Sequence, residues 1–262
     1  MTDVASESSP RCIAVVHAVL FDYGHTLTDF TLAEDELLLC YMAVRSLLEA
    51  EARQELPSAE SLIKLVSQKV TMEIAQSYEA QDLQELDIVE LFSRALSDTG
   101  LELPRGLVES IAEMEHRALV RHLEMPKENL AVLRTLRSEG IKVGLVSNAT
   151  YLPRLLHEDL DRLGISRLVD IAVFSSEIGV RKPHPAIFRQ VLDGLDVAPH
   201  EAVFVGDRLR DDIGGAQSLG MRTVLTTQYR RETLDGSKPH PDAVIGRLPE
   251  LIDILKAFTT CA

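Results

Sequence analysis

Four polar clusters stand just past short apolar runs in this 262-residue sequence. They are Asp22 in VLFDYGHTLTDF, Ser147-Asn148 in VGLVSNAT, Lys182 in GVRKPHPAIF, and Asp207 with Asp211 and Asp212 in VFVGDRLRDDIGGAQSLGM. The residue types suit phosphoryl chemistry. Asp22 and Asp207 can converge on a hard cation, and Mg²⁺ prefers carboxylate and carbonyl oxygens. A carboxylate can also attack phosphorus and carry an aspartyl-phosphate. Charge developing on the phosphoryl oxygens needs donors and cations, which the Ser147 hydroxyl, the Asn148 amide and the Lys182 ammonium supply. Lys182 would also keep the carboxylates from repelling an anionic substrate. A G-x-x-x-x-G-K-[ST] loop is absent, which removes a Walker-type site.

Each cluster also has a non-catalytic reading. A lone Asp after a strand commonly caps a helix or sits in a turn. Ser147-Asn148 could cap a helix starting near Tyr151, Lys182 could be solvated, and Asp211-Asp212 could complement a helix dipole. Four such clusters in order at four strand ends are harder to dismiss than any one alone.

The elements that would position them fall into two kinds. A short strand ends at Leu20-Phe21, and the stretch from Phe30 to Glu124 shows only helical periods. Thr31 with Glu34 forms a capping box ahead of Leu37, Tyr41, Val44 and Leu48. Ser58 starts a helix with Ile63, Val66, Val70 and Ile74 in phase. Another is centred on Ile88, Leu91 and Ala95 and stops before Gly100, and Pro104 opens a fourth with Leu107, Ile111, Met114 and Ala118. After Met125 the pattern alternates. Helices are expected at 126–139, 151–163, 185–195, 212–219 and 248–258, and strands at 141–146, 168–174, 202–205, 223–226 and 243–245. The segment 228–241 reads as a surface loop. Alternating βα units with apolar strands predict a Rossmann-like, doubly wound parallel sheet, with an all-helical domain inserted after the first strand. Such sheets carry their sites at the carboxyl ends of the strands. The expected division is a core of residues 11–29 and 125–262 and a helical domain of residues 30–124.

Composition narrows the partners. The net charge of −14 argues against nucleic acid and anionic membrane surfaces as partners. Residues 30–124 hold 19 acids and 8 bases, so most of the excess lies on the helical insertion. Three cysteines, Cys12, Cys40 and Cys261, without a C-x-x-C, fit a reducing compartment. The apolar run at 13–21 is short of the ~20 residues that span a bilayer, and the first ten residues lack the pattern of a secretory signal. A cytoplasmic location is the expectation. The oligomeric state is not legible.

The four clusters together resemble the four motifs of the haloacid-dehalogenase-like (HAD) hydrolase superfamily. FDYGHTL resembles the nucleophile motif, usually D-x-D-G-[TV]. VSNA resembles the second motif, RKPHP the third, and GDRLRDD the fourth, G-D-x-x-x-x-D. The resemblance covers nearly the whole core, and the helical stretch matches the expected cap insertion. It implies Asp22 as nucleophile, Mg²⁺ as cofactor, phosphoryl binding by Ser147 and Lys182, to which the residue chemistry adds the Asn148 amide, and metal binding by Asp22, Asp207 and the backbone carbonyl of Gly24, with Asp212 in support.

One departure bears on mechanism. Phosphatases of this family usually carry a second Asp, two residues after the nucleophile, that protonates the leaving group and then activates water. Here that position is Gly24, followed by His25, a candidate replacement acid/base. Three readings follow. The first is a Mg²⁺-dependent phosphohydrolase of a small phosphate ester or acyl phosphate, with its acid/base missing or supplied elsewhere. The second is a phosphate-binding or protein-interaction module without turnover. The third, lowered by the retained Asp207/Asp212 pair, is a 2-haloacid dehalogenase. His184 is expected to cap the helix after it. At least two of Arg181, Arg208 and Arg210 are expected at solvated positions.

Overall fold

The computed structural model describes residues 15–30, 34–49, 55–232 and 239–259. The Thr31 capping box, Cys12, Cys261 and residues 233–238 of the 228–241 loop lie outside them. Strand β1 (Ala18–Phe21) is completely buried. It is followed by helices α1 (Glu34–Glu49), α2 (Ala59–Leu62), α3 (Gln68–Glu79), α4 (Ile88–Ser97) and α5 (Arg105–Leu119). A π-helical turn at Ile63–Ser67 makes α2 and α3 continuous. The rest is α6 (Lys127–Ser138), β2 (Lys142–Ser147), α7 (Pro153–Arg162), β3 (Ile171–Phe174), α8 (Ser175–Ile178), α9 (Pro185–Leu195), β4 (Ala202–Gly206), α10 (Gly215–Ser218), β5 (Arg222–Thr226), β6 (Ala243–Ile245) and α11 (Leu251–Thr259).

Among the described residues six strands run parallel in the order β3-β2-β1-β4-β5-β6. From β1 the chain winds first to β2 and β3, then crosses to β4, so the direction of winding reverses beside β1. Ligands of open α/β sheets bind in the crevice at such a switch point. The register makes this concrete. Phe21 pairs with Val205, and the Asp22 N–H donates to the Val205 carbonyl at 2.9 Å. The residues after β1 and after β4, Asp22 and Asp207, therefore emerge side by side.

Apolar residues cover both faces of the sheet. One cluster joins Phe21, Leu145 and Val205 to α6, α7 and α11. The other joins Leu20, Val146 and Phe204 to Ile187, Phe188 and Val191 of α9. Helices α1 to α5 bury a third cluster of their own, with Leu37, Tyr41, Val44 and Leu48 of α1 against Phe92 and Ile111. These are the faces that the helical periods predict. Ser58 caps α2, its hydroxyl accepting from the Ser61 N–H at 3.3 Å.

Several boundaries differ from the sequence reading by one to three residues, and two of them have a visible physical reason. β3 begins at Ile171 rather than 168 because Asp170 pairs with Val143 in its place. The Val143 N–H donates to the Asp170 carboxylate at 2.8 Å, and the Asp170 N–H donates to the Val143 carbonyl at 2.8 Å. The helix expected to begin at Asp212 begins instead with a π-helical turn at Leu209–Gly214. Such turns concentrate at functional sites, and this one holds Asp212 as described below.

The helical layer is tied to the core through a short strap. Gln84 forms an antiparallel bridge with Val180, the Glu85 N–H donates to the Gly179 carbonyl at 2.9 Å, and the Arg181 N–H donates to the Leu83 carbonyl at 2.8 Å. Arg181 is not solvated: its side chain and that of Glu85 are each 1% exposed. Arg181 Nε and Nη2 donate to Glu85 Oε1 at 2.9 and 2.6 Å, Nη1 donates to Ser77 Oγ at 3.0 Å, and the guanidinium lies 4.2 Å from the Tyr78 ring centroid. Breaking one partner of a fully buried pair leaves an uncompensated charge, so Glu85→Gln should cost about 3 kcal/mol. Urea unfolding monitored by circular dichroism measures this, and an unchanged midpoint would show that the pair carries no net stability.

Candidate active site

The site starts from the register just described. Asp22 follows β1, Ser147 ends β2, Asp207 follows β4, and Lys182 precedes α9. All four are buried. Lys182 Nζ donates to Asp22 Oδ1 at 2.7 Å and to Asp212 Oδ1 at 2.6 Å. Burial by itself would lower the lysine pKa, but the Asp212 and Asp22 carboxylates outweigh it and hold the ammonium above the ordinary lysine range. Asp212 Oδ2 accepts the N–H groups of Asp207 and Arg208 at 3.0 and 2.9 Å. The π-helical turn places it there, and Gly206 makes the approach possible, because a Cβ at that position would overlap the Asp212 carboxyl carbon. That close approach is a physical reason for glycine ahead of Asp207.

Asp22 receives two further donors, Thr26 Oγ1 to Oδ2 at 3.2 Å and Ser147 Oγ to Oδ1 at 3.4 Å. Asn148 lines the same cavity, but its amide is engaged with the Lys182 backbone. Oδ1 accepts the Lys182 N–H at 2.7 Å and Nδ2 donates to the Lys182 carbonyl at 3.2 Å. It positions the lysine loop. His184 caps α9, accepting the Ala186 N–H at 3.2 Å. Arg208 and Arg210 have half-exposed side chains and flank Asp211.

Carboxylate oxygens of Asp22, Asp207 and Asp212 lie within 4.8 Å of one another, and all three residues are buried. This hard-oxygen set fits Mg²⁺. Burial, then the Asp22 and Asp212 charges, hold the Asp207 carboxyl above the usual range. Burial and the Asp22 charge do the same for Asp212, against the Lys182 ammonium. Arg230 Nη1 donates to Asp207 Oδ2 at 2.7 Å, a partner that no motif signals.

A cavity of about 300 Å³ opens over these residues and reaches under the helical layer, where Phe30, His116, Leu119, Tyr151 and Asp159 join its wall. That volume suits a small molecule.

A family model for haloacid dehalogenase-like hydrolases matches residues 16–220. The chain belongs to the haloacid dehalogenase-like hydrolase family. It is 31% identical to a glyceraldehyde 3-phosphate phosphatase of Methanopyrus kandleri over 247 residues, which are 92% of this chain and 98% of that protein. It is also 31% identical to a phosphoserine phosphatase of Thermus thermophilus over 161 residues, 62% of each chain. Among solved structures, a HAD phosphatase from Thermococcus onnurineus is similar with a TM-score of 0.61 and 25% identity, covering 91% of this chain and 97% of that one. A 2-haloacid dehalogenase from Pseudomonas syringae pv. Tomato DC3000 has a TM-score of 0.64 at 24% identity, covering 93% and 100%, and shares the fold.

At position 24, where the resemblance predicts a second aspartate, the structure shows what surrounds the glycine. A Cβ on Gly24 would lie 2.9 Å from Phe30 Cε2, so the Phe30 ring occupies the space into which a side chain at 24 would grow. His25 has a positive φ of 58°, a conformation that favours glycine. Its side chain is 29% exposed, and Nδ1 pairs with Asp29 Oδ1 at 3.0 Å. Gly24→Ala should therefore cost about 1 kcal/mol, and Phe30→Ala in the same chain should remove that cost. A double-mutant cycle by thermal denaturation measures it, and additive effects would show that the ring does not guard this position.

Proposed function

We propose that this HAD-family hydrolase is a Mg²⁺-dependent phosphohydrolase of small phosphate esters or acyl phosphates, acting in the cytoplasm through Asp22. The observation that carries the reading is the buried set Asp22, Lys182, Asp212 and Asp207, in which one ammonium joins the nucleophile to the acidic cluster. Asp22 Oδ1 is held by Lys182 and Ser147, and Oδ2 by Thr26, so the carboxylate is oriented before substrate arrives. Its attack on phosphorus forms the aspartyl-phosphate while the P–O bond to the leaving group breaks. Water then attacks the phosphoryl group and returns the carboxylate. Lys182 and the Ser147 hydroxyl stabilise charge on the phosphoryl oxygens. Asp22, Asp207 and the Gly24 carbonyl would hold Mg²⁺, supported by Asp212. When bound, the ion supplies positive charge for the phosphoryl oxygens. The helical cap, residues 30–124, closes over the cavity and limits access to small substrates. The named activities of the Methanopyrus and Thermus relatives agree with this substrate class. No described helix is long and apolar enough to cross a membrane. Few cysteines and no C-x-x-C support the cytoplasmic assignment.

Hydrolysis of p-nitrophenyl phosphate with Mg²⁺ tests this. Activity should vanish with chelator, and Asp22→Asn should lower kcat on the order of 10⁴-fold or more, as removal of a covalent nucleophile does. Full activity in that variant would remove Asp22 from the chemistry. Absence of turnover over a wide panel of phosphate and acyl-phosphate substrates would instead support the binding-module reading. Halide release from 2-haloacids in chelator would support the dehalogenase.

Metal binding has its own readout. Mg²⁺ at a hundred times its dissociation constant should stabilise the fold by about 2.7 kcal/mol, and Asp207→Asn should abolish most of that gain. A thermal shift that survives the substitution would place the ion elsewhere.

A further inference from the structure

Gly24 has no side chain to give or take a proton, and the Phe30 ring fills the space beside it, so the candidates for an acid/base stand on the other walls of the cavity. Most titratable groups lining it are already committed. Asp22 is the proposed nucleophile, Lys182 and Asp207 are held in the cluster, and Tyr151 donates its hydroxyl to Glu115 Oε1 at 3.0 Å. The Tyr78 hydroxyl is pushed up to about 12, by burial first and then by Glu85. Asp211 is turned to Arg208 and Arg210, at 3.9 and 3.4 Å. Besides these, two imidazoles line the cavity, the side chain class that gives and takes protons near neutral pH. His25 is turned to the exposed Asp29 at the mouth.

His116 differs. It is 4% exposed, sits in the last turn of α5, and its Nε2–H donates to Asp159 Oδ2 at 2.7 Å. Asp159, on α7, is itself buried and accepts from Arg162 Nη2 at 3.4 Å. The imidazole packs against the Tyr151 ring at 4.8 Å between centroids. Its Nδ1 has no hydrogen-bond partner among the described residues. A carboxylate that fixes one ring nitrogen and leaves the other for reaction is the geometry of an oriented general base. A second polar atom at this end of the cavity also lacks a partner among the described residues: the hydroxyl of Tyr23, the residue after Asp22. Burial, then the charge of Asp159, holds that hydroxyl protonated and able to donate.

We propose that His116, oriented by Asp159, is the general acid and base of this enzyme, in the role of the carboxylate missing at position 24. The assignment rests on the phosphohydrolase reading. As Asp22 attacks phosphorus and the P–O bond breaks, the Nδ1–H of the imidazolium passes its proton to the departing oxygen. Neutral His116 then takes a proton from the water that attacks the aspartyl-phosphate, which releases inorganic phosphate and restores the imidazolium. Nε2–H stays on Asp159 throughout. The charged and titratable groups around the imidazole are Asp159 and Arg162 from α7, Glu115 from α5, and Tyr23 and Tyr151 from the loops after β1 and β2.

The test separates the two half-reactions in His116→Gln. With p-nitrophenyl phosphate, whose leaving group needs little protonation, rapid mixing should show a burst of nitrophenol equal to the enzyme present. A steady state slowed 10²- to 10⁴-fold should follow, the usual worth of an acid/base group. With an alkyl phosphate, the first turnover itself should slow by a similar factor. KM should change little, and the limb of the kcat–pH profile that reports this group should disappear. Asp159→Asn, which keeps the ring in place, should displace that limb. Equal losses in both half-reactions and for both substrates, with the pH profile retained, would reduce His116 to a packing role. A wild-type enzyme that turns over neither substrate would overturn the phosphohydrolase reading itself.

Discussion

The site is organised around one buried cation. Lys182 lies between Asp22 and Asp212, within 2.7 Å of both, while Asp207 sits beside them under Arg230. Three carboxylates sharing so small a volume repel one another, and each carries the cost of leaving water. The ammonium offsets that repulsion, and its bond to Asp22 Oδ1 holds the carboxylate in one direction. Much of the surrounding structure holds that lysine. Asn148 binds its backbone on both sides. The preceding residue, Arg181, is buried against Glu85 of the helical layer. The loop that presents Lys182 is thus also where the helical layer is fastened.

The sheet explains why these residues meet. Pairing of Phe21 with Val205 sets Asp22 and Asp207 at neighbouring strand ends, and the reversal of winding beside β1 leaves the crevice between them open. This part was legible in the sequence, because apolar strands ending in acids have a period and a punctuation that can be read directly. The cap helices were legible for the same reason: their apolar faces coincide with the buried cluster, and Glu34, Asp35, Glu60 and Glu90 stand exposed on the opposite side. The acidity of residues 30–124 is mostly a solvated outer face, with Glu85 and Glu115 as buried exceptions.

What the sequence concealed depends on contacts between distant residues. Glu85 and Arg181 are both ordinary charged residues in isolation, and only folding places one carboxylate on one guanidinium in the interior. His116 and Asp159 lie 43 residues apart on α5 and α7, and neither belongs to a motif. Arg230 reaches Asp207 from a loop read only as surface. Asp212 signals its presence by spacing, but its contact with Gly206 requires a π-helical turn that helical periodicity does not encode. Phe30 beside Gly24 is a similar case, since the glycine is visible in the sequence and the ring that fills the space next to it is not.

The central claim is that Asp22 becomes phosphorylated during turnover. Acid quenching within the first turnover with an activated phosphate ester, followed by peptide mass spectrometry, measures this directly. The account predicts a phosphoryl group on the peptide carrying Asp22, at a position mapped to that carboxylate and lost on treatment with hydroxylamine. Steady turnover with no phosphorylated Asp22 peptide at any quench time would contradict it.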